Sequence, residues 1–109
     1  MNTNYLISFL SLAETNSYQK TAEHLHYSRS TIMEHIHALE QELGVTLIQS
    51  QGRKLITTPA GERFKIHARK IVQTYQNALL EAMTFSNKQR LRIITIETIG
   101  LFFINTAIM

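Results

Sequence analysis

Five histidines are the first residues of this 109-residue chain that could do chemistry, and four of them form the pairs His24-Leu25-His26 and His35-Ile36-His37. Imidazole nitrogens are common ligands for transition metals. Residues two apart on a helix point about 200° away from each other, so His35 and His37 do not converge on one ion, and Glu34 with His37 is only one face pair. The chain has no cysteine, which excludes thiolate ligands and thiol catalysis. We therefore expect no metal site and no cofactor.

Patterns typical of catalysis are also missing from the sequence. It contains no glycine-rich phosphate loop, no serine elbow and no clustered pair of carboxylates. We expect no catalytic residues and no enzymatic activity.

A different set of side chains has the spacing of a recognition surface. If Ile32, Ile36 and Leu39 face a core, the opposite face of the same helix carries four residues at i, i+3, i+4 and i+7, namely Ser30, Met33, Glu34 and His37. Arg29 stands at the N-terminal end of this face. The major groove of DNA admits one helix, whose side chains read bases by hydrogen bonds and methyl contacts. The N-terminal N–H groups of such a helix suit a phosphate.

Three helices are predicted to position this face. Leu6, Phe9, Leu10 and Ala13 predict a first helix from about Asn4 to Thr15. Ser17 is a predicted N-cap for a second helix from Tyr18 to about Leu25, and Ser28 for a third that ends at Gly44. Two short helices joined by about three residues have the spacing of a helix-turn-helix. Any small three-helix core shows similar stripes, so periodicity leaves both interpretations open.

A hairpin and a long helix are predicted to follow. The apolar pairs Leu47-Ile48 and Leu55-Ile56 flank a turn at Gln51-Gly52-Arg53. Thr58-Pro59 is a typical helix start. Within this helix, apolar residues alternate at four and three positions in a seam typical of coiled coils, formed by Phe64, Ala68, Ile71, Tyr75, Ala78, Ala82 and Phe85.

Two interpretations of this seam remain open. It could pack on the first helix of its own chain, or it could form a dimer interface. We favour dimerisation, because a helix of nearly 30 residues extends beyond so small a domain.

Charge and hydropathy narrow the choice of partners. The net charge is +3, but residues 1–57 hold four basic and five acidic side chains, whereas residues 58–90 hold six basic and two acidic ones. A basic balance favours a polyanionic partner. The N-terminus does not resemble a signal peptide, and no apolar run is long enough to span a membrane. We expect a cytoplasmic protein with no membrane partner.

The run from Leu6 to Gly61 resembles the N-terminal domain of LysR-type transcriptional regulators. The residues that carry the resemblance are Phe9, Ala13, Ser17-Tyr18, Thr21-Ala22, Leu25, Ser28, Ile32, Ile36, Leu39-Glu40, Leu43-Gly44, Leu47, Arg53 and Thr58-Pro59-Ala60-Gly61. Leu91-Arg92-Ile93 and Glu97-Thr98-Ile99-Gly100 resemble the start of the family's effector-binding domain.

The resemblance implies a mainly α fold, a winged helix-turn-helix of three helices plus a two-stranded wing, followed by a long dimerising linker helix. It implies dimers and often tetramers that bind double-stranded DNA at interrupted inverted repeats. The expected DNA-contacting residues are Ser17, Tyr18, Ser28, Arg29, Ser30, Thr31, Met33, Glu34, His37, Arg53 and Lys54.

Several positions depart from the family pattern. The family usually has glutamine and proline where Arg29 and Ser30 stand, serine at Met33, and arginine at Ser50. Arg29 could pair bidentately with guanine, and Arg53 must supply much of the wing's positive charge together with its neighbour Lys54. An alternative stays open, in which the chain is an interaction module that dimerises but has lost DNA binding. It stays open because Ser50 replaces the family's usual arginine and because residues 1–57 hold one more acidic side chain than basic ones.

The predicted domains are a winged helix-turn-helix over residues 1–58, a linker helix over 59–88, and a truncated start of an α/β effector-binding domain over 89–109. By resemblance, Thr98 belongs to an effector pocket. We expect a small-molecule effector to bind only in a longer parent chain, since one strand cannot form that pocket.

Overall fold

The computed structural model describes residues 1–86, which form four helices and one hairpin. The elements are α1 (Thr3–Thr15), α2 (Tyr18–Leu25), α3 (Arg29–Leu43), β1 (Ile48–Gln51), β2 (Lys54–Thr57) and α4 (Pro59–Ser86). This architecture confirms the predicted fold class, a winged helix-turn-helix followed by a long helix. The predicted strand from Leu91 and the predicted effector residue Thr98 lie outside the described residues.

Local capping chemistry explains where the helices begin and end. The Oγ atoms of Ser17 and Ser28 accept hydrogen bonds from the N–H groups three residues later, both at 3.1 Å. Gly44 ends α3 in a left-handed conformation, with φ +74°. The helix α1 begins one residue earlier than predicted, because the Asn2 side chain caps it by accepting from the N–H of Asn4 at 2.8 Å.

The core lies between α1, α2 and α3 and is closed by residues from the following segments. Its largest fully buried apolar side chains are Leu6, Phe9, Leu12, Ile32, Leu39 and Leu47. The predicted stripe of α1 was partly wrong, because Leu12 is buried while Leu10 and Ala13 are only half-buried. The buried face of α1 instead includes Ser8, whose hydroxyl forms a hydrogen bond with the His35 ring of α3.

The hairpin, here called the wing (Ile48–Thr57), is antiparallel, with Ser50 opposite Leu55 and Gln51 opposite Lys54. Gly52 has φ +65°, as the first central position of a type II′ hairpin turn requires. The wing leads into α4 through Thr58, whose hydroxyl oxygen accepts from the N–H of Gly61 at 3.0 Å.

Two compact units divide the chain, Met1–Lys70 and Ile71–Met109. The first unit holds the core and the wing. In the described part of the second unit, α4 presents exposed apolar side chains. No helix within residues 1–86 combines the length and apolar character needed to cross a membrane.

Candidate nucleic-acid interface

The predicted recognition face of α3 is exposed. Ser30, Met33, Glu34 and His37 all reach solvent, and Arg29 does so at the helix start. Ile32, Ile36 and Leu39 are buried on the other side. The spacing therefore places the polar face and the core face of α3 as expected from the sequence.

The start of α3 offers hydrogen-bond donors to a ligand. The first helical backbone bond runs from the N–H of Ile32 to the carbonyl of Ser28 at 3.2 Å, and Thr31 donates its N–H to the Ser28 hydroxyl. The N–H groups of Arg29 and Ser30 precede these bonds and have no acceptor within the helix. Such groups suit an anionic oxygen, and Arg29 adds a full positive charge beside them.

An open cleft of about 600 Å³ separates the N-terminal ends of α2 and α3 from the wing. We call it the wing cleft. Its lining brings together six predicted residues, which are Ser17, Tyr18, Arg29, Met33, Arg53 and Lys54. It also includes five residues that were not predicted as contacts, which are Asn16, Gln19, Ser50, Gly52 and Leu55. Three of these eleven side chains are cationic and none is anionic, so the cleft suits a polyanion.

Tyr18 belongs to the wing cleft and also to a second depression beside α3, which it shares with Met33, Glu34 and His37. Burial raises the pKa of the Tyr18 phenol, and the nearby Glu40 carboxylate raises it further while Arg29 opposes the shift. The phenol is therefore neutral near pH 7, and its O–H group remains a hydrogen-bond donor at the junction of the two depressions.

A chain of hydroxyls holds the start of α2. Thr15 Oγ1 lies 2.8 Å from the buried Thr21 Oγ1, and it accepts from the N–H of Ser17 at 3.2 Å. These contacts orient Ser17 at the rim of the wing cleft. The sequence identified Ser17 as a cap but gave no indication of the Thr15–Thr21 pair.

The base of the wing is fastened to the helices by side-chain hydrogen bonds. The Glu40 carboxylate accepts from the N–H groups of Leu47 and Ile48 at 2.7 and 3.1 Å. The Thr58 hydroxyl donates to the carbonyl of Thr46 at 2.5 Å. A side chain at Gly61 would clash with the Leu47 carbonyl oxygen, so α4 approaches this segment more closely than any other residue would allow.

The histidine pair on α3 is split between two surroundings. His37 is exposed, whereas the half-buried His35 ring packs between Tyr5 and Tyr27, at centroid distances of 4.7 and 5.1 Å. His35 Nδ1 lies 2.8 Å from the Oγ of Ser8. Burial lowers the pKa of His35, and Glu34 opposes that shift. Within the described part of the chain, no group of three or more His, Cys, Asp or Glu could hold a metal ion.

The predicted seam of α4 is not uniform. Ala68 is fully buried within the first unit, so its side chain packs there against its own chain, and its place in a dimer seam stays a prediction. Phe64 is half-buried, with its ring centroid 5.7 Å from that of Phe9 in α1, as the alternative of packing within one chain requires.

The later part of the seam differs. Ile71 is 42% exposed and Tyr75 is 49% exposed. The remaining seam residues, Ala78, Ala82 and Phe85, are also exposed, as are the neighbouring Leu79 and Met83. This exposed apolar stripe, here called the α4 stripe, runs from Ile71 to Phe85.

Several known proteins are similar to this chain in sequence. The family model for bacterial regulatory helix-turn-helix proteins of the lysR family matches residues 3–62. The HTH-type transcriptional regulator YwqM of Bacillus subtilis is 37% identical over 78 residues, covering 72% of this chain and 27% of that relative. The HTH-type transcriptional activator IlvY of Salmonella typhimurium is 34% identical over 76 residues, covering 70% and 26%. The chain thus spans about a quarter of the length of these relatives.

Solved structures give the same comparison in three dimensions. A complex of the CbnR DNA-binding domain with DNA has a TM-score of 0.73 and 29% identity, covering 80% of this chain and 100% of that one. A complex of the BenM DNA-binding domain with catB site 1 DNA has a TM-score of 0.73 and 27% identity, covering 79% and 92%.

Proposed function

The chain belongs to the lysR family of bacterial regulatory helix-turn-helix proteins, and from this membership we propose that it is a sequence-specific DNA-binding transcriptional regulator that binds an interrupted inverted repeat as a dimer. The observation that carries the proposal is the joint lining of the wing cleft by the start of α3 and by the tip of the wing. One element there can read bases, and the other can contact the backbone of the same duplex.

In this proposal α3 enters the major groove with Arg29 at its leading end. A guanidinium can donate two parallel hydrogen bonds to the O6 and N7 atoms of guanine. Met33 offers a flexible apolar contact of the kind that a thymine methyl group accepts. Glu34 would accept from a cytosine amino group and would be repelled by a phosphate, so it contributes to selectivity by both effects.

Arg53 and Lys54 contact phosphates in this proposal. Both are exposed at the wing tip, and both line the cleft with Arg29. Contacts of this type strengthen binding to every sequence and make affinity depend on salt, because each one releases condensed counterions. They hold the duplex while α3 selects the bases.

Dimerisation in this proposal uses the α4 stripe. Large exposed apolar side chains that recur on one side of a helix indicate an interface, since single soluble domains rarely expose a continuous apolar patch. A two-fold dimer presents two recognition helices and requires an inverted repeat. The complexes of the CbnR and BenM domains with DNA support the DNA-binding part of the proposal.

The rest of the organisation follows from the family. We propose a DNA-binding domain over residues 1–58 and a dimerising linker helix over 59–88, with residues 89–109 opening an effector-binding domain to which Thr98 belongs. We also propose that the protein acts on DNA in the bacterial cytoplasm and has no catalytic role. The comparisons offer no support for an interaction module without DNA binding.

A pair of substitutions tests the assignment of the two basic positions. Arg29→Ala should weaken binding by about 1–3 kcal/mol and relax base preference at one position of each half-site, while Arg53→Ala should weaken all sequences alike and reduce the salt slope by about one. Fluorescence anisotropy on a set of duplexes with single base changes measures both effects. Equal losses on every duplex for Arg29→Ala would refute its role in base reading.

A further inference from the structure

Asn16 connects two parts of the interface that are far apart in sequence. Its side-chain Nδ2 donates to the backbone carbonyl of Leu55 in β2 at 2.8 Å. Its backbone has φ 56° and ψ 30°, and its N–H closes α1 by donating to the carbonyl of Leu12. Asparagine tolerates this left-handed conformation better than most residues. The backbone of Asn16 thus ends the helix, while its side chain is available for the wing.

The wing needs such support, because two strands of four residues are marginal by themselves. Glu40 and Thr58 fasten its base, at the start of β1 and at the end of β2. Within residues 1–86, the one side-chain hydrogen bond from the helices to β2 itself comes from Asn16. It reaches Leu55, the second residue after the two-residue turn at Gly52 and Arg53, close to the tip.

The register of the wing explains why the Leu55 carbonyl is free to accept this bond. In a hairpin closed by a two-residue turn, the pair flanking the turn, Gln51 and Lys54, exchanges ladder hydrogen bonds, and the next pair does not. That next pair is Ser50 and Leu55. The carbonyl of Leu55 therefore points away from β1, where the Asn16 amide meets it.

We propose that Asn16 is a positioning residue that holds the wing tip, and with it Arg53 and Lys54, across the wing cleft from Arg29. Both cations immediately precede Leu55, and all of these residues line the cleft. The inference rests on the proposed DNA-binding function. It means that an uncharged side chain outside the wing sets the positions of the two cations that contact phosphates.

The test uses Asn16→Gly in the full chain. Glycine retains the left-handed backbone without strain and removes only the side-chain amide. The matched control is His26→Gly, because His26 is the other non-glycine residue of the described chain with a left-handed backbone, at φ 60°, and it likewise ends a helix. Both variants make the same backbone change, but only Asn16→Gly removes the bond to Leu55.

Hydrogen exchange on the free protein provides a readout that does not depend on DNA. Asn16→Gly should speed exchange of the amides of residues 50–55, and His26→Gly should leave them at the wild-type rate. Unchanged exchange in Asn16→Gly would overturn the inference, even if the protein binds DNA as proposed.

Binding measurements provide the second readout. Asn16→Gly should lower affinity for the selected duplex by about threefold to tenfold, in line with the net contribution of one hydrogen bond. It should flatten the salt dependence but leave base preference unchanged. Adding Arg53→Ala should cost less in the Asn16→Gly background than in wild type, because the cation is already poorly placed.

Fully additive losses from the two substitutions, or a loss in Asn16→Gly equal to that in His26→Gly, would contradict positioning by Asn16. Failure of wild type to bind any duplex, with faster wing exchange in Asn16→Gly, would instead contradict the proposed function and leave the hydrogen bond established.

Discussion

The carboxylate of Glu40, in α3, accepts a hydrogen bond from the backbone N–H of Leu47 at a distance of 2.7 Å. The same oxygen accepts from the N–H of Ile48 at 3.1 Å. One charged side chain thereby satisfies two backbone donors at the place where the chain leaves the helices and enters the wing. Bonds to a charged acceptor are stronger than those between neutral groups.

Glu40→Ala should lower the free energy of unfolding by about 2–3 kcal/mol, because it leaves two partly buried N–H groups without their acceptor. Glu40→Gln should lower it by less, since an amide oxygen can still accept. Urea unfolding followed by circular dichroism measures both changes. Glu42→Ala serves as the control, because Glu42 is exposed near the end of the same helix. Equal stability of Glu40→Ala and Glu42→Ala would contradict this account of the wing base.

Stability should fall as the pH drops below the ordinary histidine pKa of 6.5, because burial lowers the pKa of His35 in the fold. The unfolded chain then binds a proton that the folded chain resists, so this contribution is fully present above pH 6.5 and is lost between that value and the lowered one. His35→Gln should weaken the pH dependence of the unfolding midpoint as the pH falls below 6.5.

His37→Gln is the matched control for that measurement, since His37 is exposed on the same helix. It should retain the wild-type pH profile of stability. A His35→Gln variant whose profile matches wild type would show that the contacts of His35 with Ser8, Tyr5 and Tyr27 do not penalise its protonation.

Ile71→Asp should convert a dimer to monomers and raise the dimer dissociation constant at least about 100-fold, because it places an unpaired carboxylate in an apolar interface. In a two-fold dimer the charge is introduced on both sides. Ile66→Asp is the control, because Ile66 is also exposed on α4, at 54%, but lies off the seam spacing. Light scattering measures both masses, and a dimeric Ile71→Asp protein would place the interface elsewhere.

Much of the fold could be predicted because its determinants are local. Ser17, Ser28 and Gly44 cap helices through contacts within a few residues, so their types and spacing are sufficient. The exposed face of α3 was predictable in the same way, because it lies opposite the regularly spaced apolar residues Ile32, Ile36 and Leu39. The wing was predictable from two apolar pairs around Gly52, whose positive φ favours glycine.

What could not be predicted depends on contacts between distant segments. Ala68 occupies a seam position by its spacing, but its spacing did not predict that it is buried within its own unit. The bond from Asn16 to Leu55 spans 39 residues, and asparagine after a helix predicts only a helix end. Which face of α1 is buried, with Leu12 inside it, depends on where α3 packs. Periodicity identifies a face of a helix and leaves its neighbours undetermined.

If two copies of α3 read an inverted repeat, the purified protein should select duplexes with that symmetry from a random-sequence pool. We expect enrichment of one motif that repeats in inverted orientation, with half-sites whose centres lie about one helical turn apart, that is, about 10–10.5 base pairs. Enrichment of a single unrepeated motif, or of no motif at all, would contradict it.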